Sequence, residues 1–357
     1  MNKIRTLIVD DSAFIRKTIE LTLKRDNNIE VVGTARNGKE GVEKAKELKP
    51  DIITLDVEMP IMNGLEALEI IMRESPTNVI MISSLTSEGA ELTLKALQLG
   101  AVDFIPKDKD YISLSSKNIN SELVRKIHAI GKGGKILKKI SRQIGGNRQR
   151  EEIRPKNLSK VSPKLDRIKV EAIQIGISTG GPLSLQKVMP RITNKLNIPI
   201  FIVQHMPPKF TKSLADRLNG MSEIKIKEAE DGEPVIGGVA YIAPGGKHMG
   251  IKAKPTGKII SLSDTPSGTL HKPSVDVTLK SVVDVWGERT MGIIMTGMGK
   301  DGLEGAIELK KKNGIVIAQD EESSVVWGMP KAVFDKGIAD MVVPLEKIGD
   351  VINKVIK

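Results

Sequence analysis

The sequence predicts an α/β protein with two doubly wound domains, and three observations support this class. Short apolar runs alternate with amphipathic segments of about 10 to 15 residues, the pattern of βαβ units that place parallel strands in one sheet. The chain has 357 residues, enough for two or three domains. A basic segment without apolar periodicity separates two such regions, so we expect a domain boundary there.

The first domain is predicted over residues 1–125 as a flavodoxin-like arrangement of βα units. Its candidate strands are residues 6–9, 30–33, 52–55, 79–82 and 102–105. The segments between them carry apolar residues at helical spacing, as at Ile15 and Ile19. We therefore expect a single parallel sheet with helices on both faces.

The second domain is predicted over residues 168–357, again with a mainly parallel, doubly wound sheet. Its clearest candidate strands are residues 169–177, 198–203, 291–295 and 314–318. Between Ala240 and Ser263, a Gly-Gly pair and a Pro-Thr-Gly turn separate β-prone runs. This stretch predicts antiparallel hairpins inserted among the βα units.

The positive charge of the chain is concentrated between the two domains. The formal net charge is +11, and residues 131–169 hold 13 Lys and Arg against three acidic residues. Residues 126–167 are predicted to form a flexible basic linker, with a specific docking arm as the alternative. Because the charge lies in this linker and only 3% of residues are aromatic, we expect no nucleic-acid partner.

Cysteines and membrane-spanning segments are both missing from the sequence. The chain contains no cysteine, which excludes disulfides, thiol catalysis and cysteine-ligated metal centres. No window approaches the roughly 18 apolar residues of a membrane span, and the first apolar run is too short for a signal peptide. We therefore expect a cytoplasmic protein with no membrane insertion.

Polar residues follow four strands of the first domain, where the carboxyl ends of parallel strands meet at one sheet edge. They are Asp10 and Asp11, Asp56, Ser83 and Lys107. Three carboxylates at one edge repel one another unless a divalent cation such as Mg²⁺, or a lysine, compensates. An aspartate beside Mg²⁺ can attack a phosphoryl group, so this edge predicts a phosphoacceptor site.

These residues lie in phrases that resemble a response-regulator receiver domain, over essentially the first 125 residues. The phrases are VDDSAFIR, TLDVEMPIMNGLEAL, MISSLT and GAVDFIPKD. The resemblance implies that Asp56 is the phosphoacceptor. It also implies that Asp10 and Asp11 hold Mg²⁺, directly or through water, together with Asp56 and the backbone carbonyl of Glu58.

The same resemblance assigns the residues that respond to phosphorylation. It implies that Ser83 and Lys107 sense the phosphoryl group and that Phe104 is the aromatic residue that switches rotamer. The family usually places proline directly after the lysine, whereas here Pro106 precedes Lys107 and Asp108 follows it. This departure concerns the loop geometry and any cis peptide, and leaves the role of the lysine in place.

Three reactive side chains follow strands of the second domain: Ser178, His205 and Asp301. At one sheet edge they have the residue types of a nucleophile, a base and an orienting acid. Asp320 also follows an apolar run and competes with Asp301 for the third role. Backbone N–H groups for an oxyanion are expected either at the helix start after Ser178 or in the turn at Met298.

The remaining histidines and motifs fit less well. His128 lies near the end of the first domain, and His248 and His271 fall in irregular segments, where they are candidates to line a substrate groove. Neither glycine-rich turn of the second domain matches the P-loop pattern. Ser178 is not in a G-x-S-x-G elbow, so a standard α/β-hydrolase is not predicted.

Seven phrases of the second domain resemble the catalytic domain of the chemotaxis receptor methylesterases, the CheB family. They are IGISTGGP, QHMPPKFTKSLADRL, EAEDGEPV, YIAPGGKHM, HKPSVDV, TGMGKDG and WGMPKAV, in this order. The resemblance implies that Ser178 is the nucleophile, His205 the base and Asp301 the third member. It places Thr179 and the backbone N–H of Met298 near the oxyanion.

The two resemblances together imply a phosphorylation-regulated serine hydrolase. Its implied substrates are glutamyl methyl esters, and often glutamines, on the cytoplasmic helices of methylated chemoreceptors, and its phosphodonor is a chemotaxis histidine kinase. Mg²⁺ is expected in the receiver domain, and no cofactor is expected for ester hydrolysis. Two alternatives stay open: a receiver with a non-catalytic adaptor or transcription-regulator output, and a hydrolase of a non-receptor ester.

Overall fold

The structure is a computed structural model that describes residues 3–107, 117–131 and 167–355. It forms two compact units, Met1–Glu151 and Glu152–Lys357. The predicted basic linker lies almost wholly outside the described residues, as does Asp108. Among the helices that the structure describes, none is both long and apolar enough to cross a bilayer.

The first unit is a five-stranded parallel sheet in the order β2-β1-β3-β4-β5, which confirms the predicted flavodoxin-like fold. Its elements are β1 (Ile4–Val9), α1 (Ala13–Leu23), β2 (Ile29–Ala35), α2 (Gly38–Leu48), β3 (Ile52–Asp56), α3 (Gly64–Glu74), β4 (Asn78–Ser84), α4 (Ser87–Gln98), β5 (Asp103–Lys107) and α5 (Lys117–Gly131).

Local sequence explains these elements. All five residues of β3 are buried, as expected for a central parallel strand covered on both faces. Helix α3 begins with a capping box between Asn63 and Glu66. Helix α5 continues to Gly131 with Ile127 and Ile130 fully buried, so the predicted domain end at residue 125 lies inside a helix of this unit.

The second unit carries a larger sheet. Its elements are β6 (Ala172–Ile177), α6 (Gly181–Val188), β7 (Ile200–Gln204), α7 (Phe210–Asn219), β8 (Lys225–Glu228), β9 (Val239–Ile242), β10 (His248–Lys254), β11 (Gly257–Ser263), α8 (Val275–Trp286), β12 (Thr290–Ile294), α9 (Leu303–Lys311), β13 (Ile315–Gln319), α10 (Met329–Asp335), β14 (Met341–Val343) and α11 (Leu345–Asn353). Short 3₁₀ turns follow α6 and α8, at Met189–Arg191 and Gly287–Arg289.

Seven strands form one parallel sheet in the order β14-β13-β12-β6-β7-β9-β8, and β10 and β11 form a separate antiparallel hairpin. The mainly parallel sheet with an antiparallel appendage is therefore confirmed. The predicted hairpin region is smaller than expected, because Val239–Ile242 joins the main sheet as the parallel strand β9. All four residues of β9 are buried, as in an interior strand.

Strand β6 lies at the point where the direction of winding reverses. From β6 the chain continues to β7 on one side, and it later returns to place β12 on the other side. Such a reversal opens a crevice at the carboxyl ends of the strands, where ligands bind in doubly wound sheets. Helix α8 packs directly on β6 here, since a Cβ on Gly176 would lie 2.3 Å from Cγ1 of Val275.

Candidate active site and phosphoacceptor site

The predicted carboxylate cluster of the first unit is present at the carboxyl edge of its sheet. Asp10 and Asp56 are buried, whereas Asp11 is exposed, and the three residues each offer a carboxylate oxygen within 4.8 Å of the others. Nζ of Lys107, at the end of β5, lies 2.6 Å from Oδ2 of Asp56 and 2.9 Å from Oδ2 of Asp10. Lys107 therefore occupies the same edge although proline precedes it.

The electrostatics of this cluster favour a cation. Burial, with the charge of Asp10 added to it, raises the pKa of Asp56 to about 6 despite the opposing ammonium of Lys107. Burial also raises the pKa of Asp10. For Lys107, burial is outweighed by the charges of Asp56 and Asp10, which raise its pKa. One lysine thus leaves the cluster with excess negative charge, and Asp10, Asp11 and Asp56 form an oxygen donor set that fits Mg²⁺.

The other predicted receiver residues have the following contacts. Oγ of Ser83 is buried and donates to the backbone carbonyl of Gly89, 3.1 Å away. The backbone N–H of Glu58 donates to Oδ1 of Asp56 over 3.3 Å. Phe104 is 4% exposed, so its ring points into the unit, and the ammonium of Lys126 lies over it.

In the second unit, the base and the acid predicted from sequence are in contact. Nε2 of His205 lies 2.8 Å from Oδ2 of Asp301, and both side chains are largely buried. Nδ1 of His205 is buried and has no hydrogen-bond partner among the described residues. His205 follows Gln204, which is paired in register with Ile177, so the loops that carry Ser178 and His205 leave neighbouring strands at the same level.

The carboxylate of Asp301 lies at the N-terminus of α8. It accepts hydrogen bonds from the backbone N–H groups of Val275 and Asp276, at 2.8 and 3.0 Å, and from Oγ of Ser274 at 3.0 Å. Burial alone would raise the pKa of Asp301, but the hydrogen bond and charge of His205 and these donors hold it well below its ordinary value. Asp301 is therefore an ionised acceptor for the N–H of His205.

A hydrogen bond, a close approach of two loops and a glycine turn fix the loop that carries Ser178. Its backbone N–H donates to the carbonyl of Thr296 over 2.9 Å, in the loop after β12. A Cβ on Gly297 would lie 2.8 Å from Cβ of Ser178, so the two loops are in close contact, and Met298 directly follows this glycine. Gly180 has a φ of +76°, which favours glycine, and the chain turns there into α6.

The structure also separates the residues that competed in the sequence. Asp320 accepts from Ser323, whereas Asp301 is the carboxylate on His205. His248 is not irregular but begins β10, where it is 1% exposed and its Nδ1 accepts from the backbone of Ser274. The ring of His271 stacks on His205 with centroids 4.0 Å apart. His128, in the first unit, pairs with Asp26 at 2.7 Å.

Two residues around the site, Asp276 and Lys300, were not singled out in the sequence, whereas His271 was a candidate to line a groove. A cavity of about 520 Å³ opens beside Asp301, and its lining includes His271, Asp276 and Lys300. Burial, with the neighbouring charge of Asp301, raises the pKa of Asp276 to about 6. Apolar periodicity shows where a strand ends. It does not show which side chains from other loops lie near that strand end.

Comparison with known families separates the same two regions. The family model for CheB methylesterase matches residues 173–352, and the model for the response regulator receiver domain matches residues 6–117. The crystal structure of the Thermotoga maritima CheB methylesterase catalytic domain covers 53% of this chain and 100% of its own, with a TM-score of 0.51 and 45% identity.

Relatives that align over nearly the whole chain share one protein name. Proteins named protein-glutamate methylesterase/protein-glutamine glutaminase from Pyrococcus horikoshii and Thermotoga maritima are each 45% identical to this chain. The alignments cover 99% and 97% of the chain, and 94% and 96% of the relatives. The chain therefore belongs to the CheB methylesterase family, with a response regulator receiver domain in its N-terminal unit.

Proposed function

We propose that the chain is a serine hydrolase in which Ser178 is the nucleophile, His205 the general base and Asp301 the acid that orients it. The observation that carries this assignment is the hydrogen bond between Nε2 of His205 and Asp301, which fixes the proton on Nε2 and leaves Nδ1 as the basic nitrogen. Catalytic hydrogen bonds are often long before substrate binds, so Ser178 and Nδ1 are expected to meet in the substrate complex.

The substrate is a glutamyl methyl ester, as the names of the full-length relatives indicate. Oγ of Ser178 attacks the ester carbonyl carbon while Nδ1 of His205 takes its proton. The C–O bond to the methoxy group then breaks, and methanol leaves with the proton from Nδ1. Water, deprotonated by His205, attacks the acyl-enzyme and releases glutamate and the free serine. A glutamine side chain reacts in the same way with ammonia as the leaving group.

The developing oxyanion requires donors near Ser178. We assign this role to backbone N–H groups around Thr179 and to the N–H of Met298. The support is positional: the carbonyl of Thr179 accepts from Oγ1 of Thr296 at 2.9 Å, and Gly297 brings the following loop against Ser178. Donors fixed in this way need no reorganisation when the negative charge develops.

The receiver unit regulates this reaction through Asp56, which accepts a phosphoryl group from a chemotaxis histidine kinase. Asp10, Asp11 and Asp56, with the backbone carbonyl of Glu58, would hold Mg²⁺, which neutralises charge on the transferring group when it is bound. Lys107 and Ser83 then contact the phosphoryl oxygens, and Phe104 changes rotamer. Lys107 is already 2.6 Å from Asp56, whereas Ser83 has to leave the carbonyl of Gly89.

The proposed function also includes the location of the substrate, the extent of the catalytic domain and its regulation. The esters lie on the cytoplasmic helices of methylated chemoreceptors, so the enzyme works in the cytoplasm. The catalytic domain spans residues 168–357, and the basic residues before it connect it to the receiver. Phosphorylation shifts the population between a less active and a more active state of the tethered pair.

A fluorophosphonate probe tests the nucleophile directly, because it reacts with activated serines. Labelling followed by peptide mass spectrometry should place the adduct on Ser178 in the full chain. Ser184→Ala is the matched control, since Ser184 lies in α6 and its hydroxyl is bonded to the carbonyl of Gly180. An adduct at another serine, or labelling that survives Ser178→Ala, would refute the assignment.

A further inference from the structure

Gln204 links the backbones of the residues proposed as nucleophile and base. Its Nε2 donates to the carbonyl of Ser178 over 3.1 Å and to the carbonyl of His205 over 3.2 Å, and the residue is 2% exposed. We propose that Gln204 is a positioning residue that sets the separation of Ser178 and His205. This inference rests on the proposed function, since it gives those two residues their catalytic roles.

Strand pairing ends just before Ser178 and His205. Strand β6 ends at Ile177 and β7 ends at Gln204. Beyond this last pair, the N–H of His205 donates to the carbonyl of Ile177 over 3.2 Å. The carboxamide of Gln204 adds a bridge one residue further along both chains, at the catalytic residues themselves. A displacement of about 1 Å in a catalytic group costs on the order of 10²-fold in rate.

The oxygen of this carboxamide is closely confined. Oε1 is buried, has no hydrogen-bond partner among the described residues and lies against Gly181. A Cβ on Gly181 would be only 1.9 Å from Oε1. A buried amide oxygen without a partner lowers stability, so folding alone does not favour glutamine over an apolar side chain here.

The carbonyl of Ser178 has a second donor besides Gln204. The N–H of Gly181 donates to it over 2.7 Å, so this carbonyl keeps a partner when the carboxamide is removed. Loss of Gln204 therefore removes the side-chain bridge but leaves the His205 N–H bonded to Ile177 and does not leave the Ser178 carbonyl unpaired.

A second glutamine holds the Ser178 loop from the other side. Oε1 of Gln319, at the end of β13, accepts from the N–H of Thr296 over 2.8 Å. The carbonyl of Thr296 in turn accepts from the N–H of Ser178. A buried glutamine at a strand end thus contacts each loop beside Ser178, and the side chain of Gln204 bonds the backbones of both Ser178 and His205.

Gln174 provides the matched control for a substitution at Gln204. It is fully buried in β6, the strand next to β7, and neither polar atom of its carboxamide has a hydrogen-bond partner among the described residues. The two glutamines therefore share burial and residue type and differ in their contact with catalytic backbones. The variants are Gln204→Met, which keeps the volume, and Gln204→Asn, which withdraws the amide, each beside the same change at Gln174.

The experiment uses the full chain and measures kcat and KM for methanol release from methyl-esterified chemoreceptor fragments. It also measures the second-order rate constant for fluorophosphonate labelling of Ser178. For both Gln204 variants we expect kcat and the labelling rate to fall about tenfold to a hundredfold with KM within about twofold. Both Gln174 variants should keep kcat within about twofold. Having two substitutions keeps the test valid if one variant fails to fold, as judged by its thermal transition.

Two results would overturn the inference. One is a folded Gln204 variant with the kcat and labelling rate of its Gln174 counterpart. The other is an equal loss at both positions, which would show a general effect of the core. Failure of the proposed function would give a different result. The unaltered protein would then show no labelling that depends on Ser178, and the inference about Gln204 would be refuted as well.

Discussion

His205 directs Nε2, and not Nδ1, toward Asp301, with 2.8 Å between Nε2 and Oδ2. In the best-known serine protease triad the two ring nitrogens have the opposite roles, because there Nδ1 contacts the aspartate and Nε2 the serine. Because Asp301 is held ionised, we expect the tautomer of His205 that carries its proton on Nε2. The ring is also held from its face by His271.

Replacing Asp301 by asparagine should reduce kcat by about 10⁴-fold, as for the equivalent change in another triad. The amide cannot hold His205 in the Nε2–H tautomer and also accept from Val275, Asp276 and Ser274. Methanol release measures this effect. Asp320→Asn is the control and should change kcat by less than about threefold, because Asp320 bonds Ser323 instead. The reverse order of losses would contradict the assignment.

The difference in unfolding free energy between wild type and Asp301→Asn should depend on pH. The pKa of Asp301 is lowered in the folded protein, so its carboxylate stabilises the native state at pH values above its unfolded pKa, near 3.8. This contribution is lost as the pH falls through the folded pKa. The difference in unfolding free energy between wild type and variant should therefore be full at pH 6 and shrink below pH 4. A difference that grows toward low pH would be inconsistent with the structure.

Asp56→Asn should stabilise the first unit in the absence of Mg²⁺. The pKa of Asp56 is raised to about 6, so its ionised form is destabilised by burial and by Asp10. Between pH 3.8 and about 6 the native state binds the extra proton, and the cost of ionisation grows with pH across this window. We expect the variant to gain about 1 to 3 kcal/mol at pH 8 and almost nothing at pH 4.

Thermal or urea unfolding of wild type and Asp56→Asn at the two pH values measures this gain. Addition of Mg²⁺ should stabilise wild type more than the variant, because the wild-type site has three carboxylates. Asp51→Asn is a surface control in the same unit, since Asp51 is exposed. Equal stabilisation of both proteins by Mg²⁺ would mean that the cation binds elsewhere.

Removal of residues 1–131 should raise basal methylesterase activity if the receiver holds the catalytic unit in its less active state. The cut follows α5, because Ile127 and Ile130 belong to the core of the first unit. In the full chain, a small-molecule phosphodonor with Mg²⁺ should raise activity, and Asp56→Asn should abolish that response while leaving basal activity unchanged. An unchanged or lower rate after the deletion would indicate that the receiver serves docking and not inhibition.

Strand periodicity predicted most of the fold because parallel strands buried on both faces read as apolar runs. It also placed Asp56, Lys107, Ser178, His205 and Asp301 at strand ends, and the structure brings Lys107 onto Asp56 and His205 onto Asp301. Strands β8 and β14 were not predicted. They have four and three residues and lie at the edges of the sheet, where the apolar signal is short.

The rest depends on contacts that have no period in the sequence. Asp301 and Asp320 both follow apolar strands, and the choice between them is made by the N-terminus of α8, which donates to Asp301. The bridge made by Gln204 could not be predicted either. A glutamine at the end of a strand does not indicate which two carbonyls its side chain will contact.

The most direct test of the central claim is methanol release from methyl-esterified chemoreceptor cytoplasmic fragments, comparing wild type with Ser178→Ala. We expect release by wild type, loss of nearly all turnover in the variant and the same thermal transition for both proteins. Release that persists in Ser178→Ala would contradict the proposed nucleophile, and no release by wild type, with or without phosphodonor and Mg²⁺, would contradict the proposed substrate.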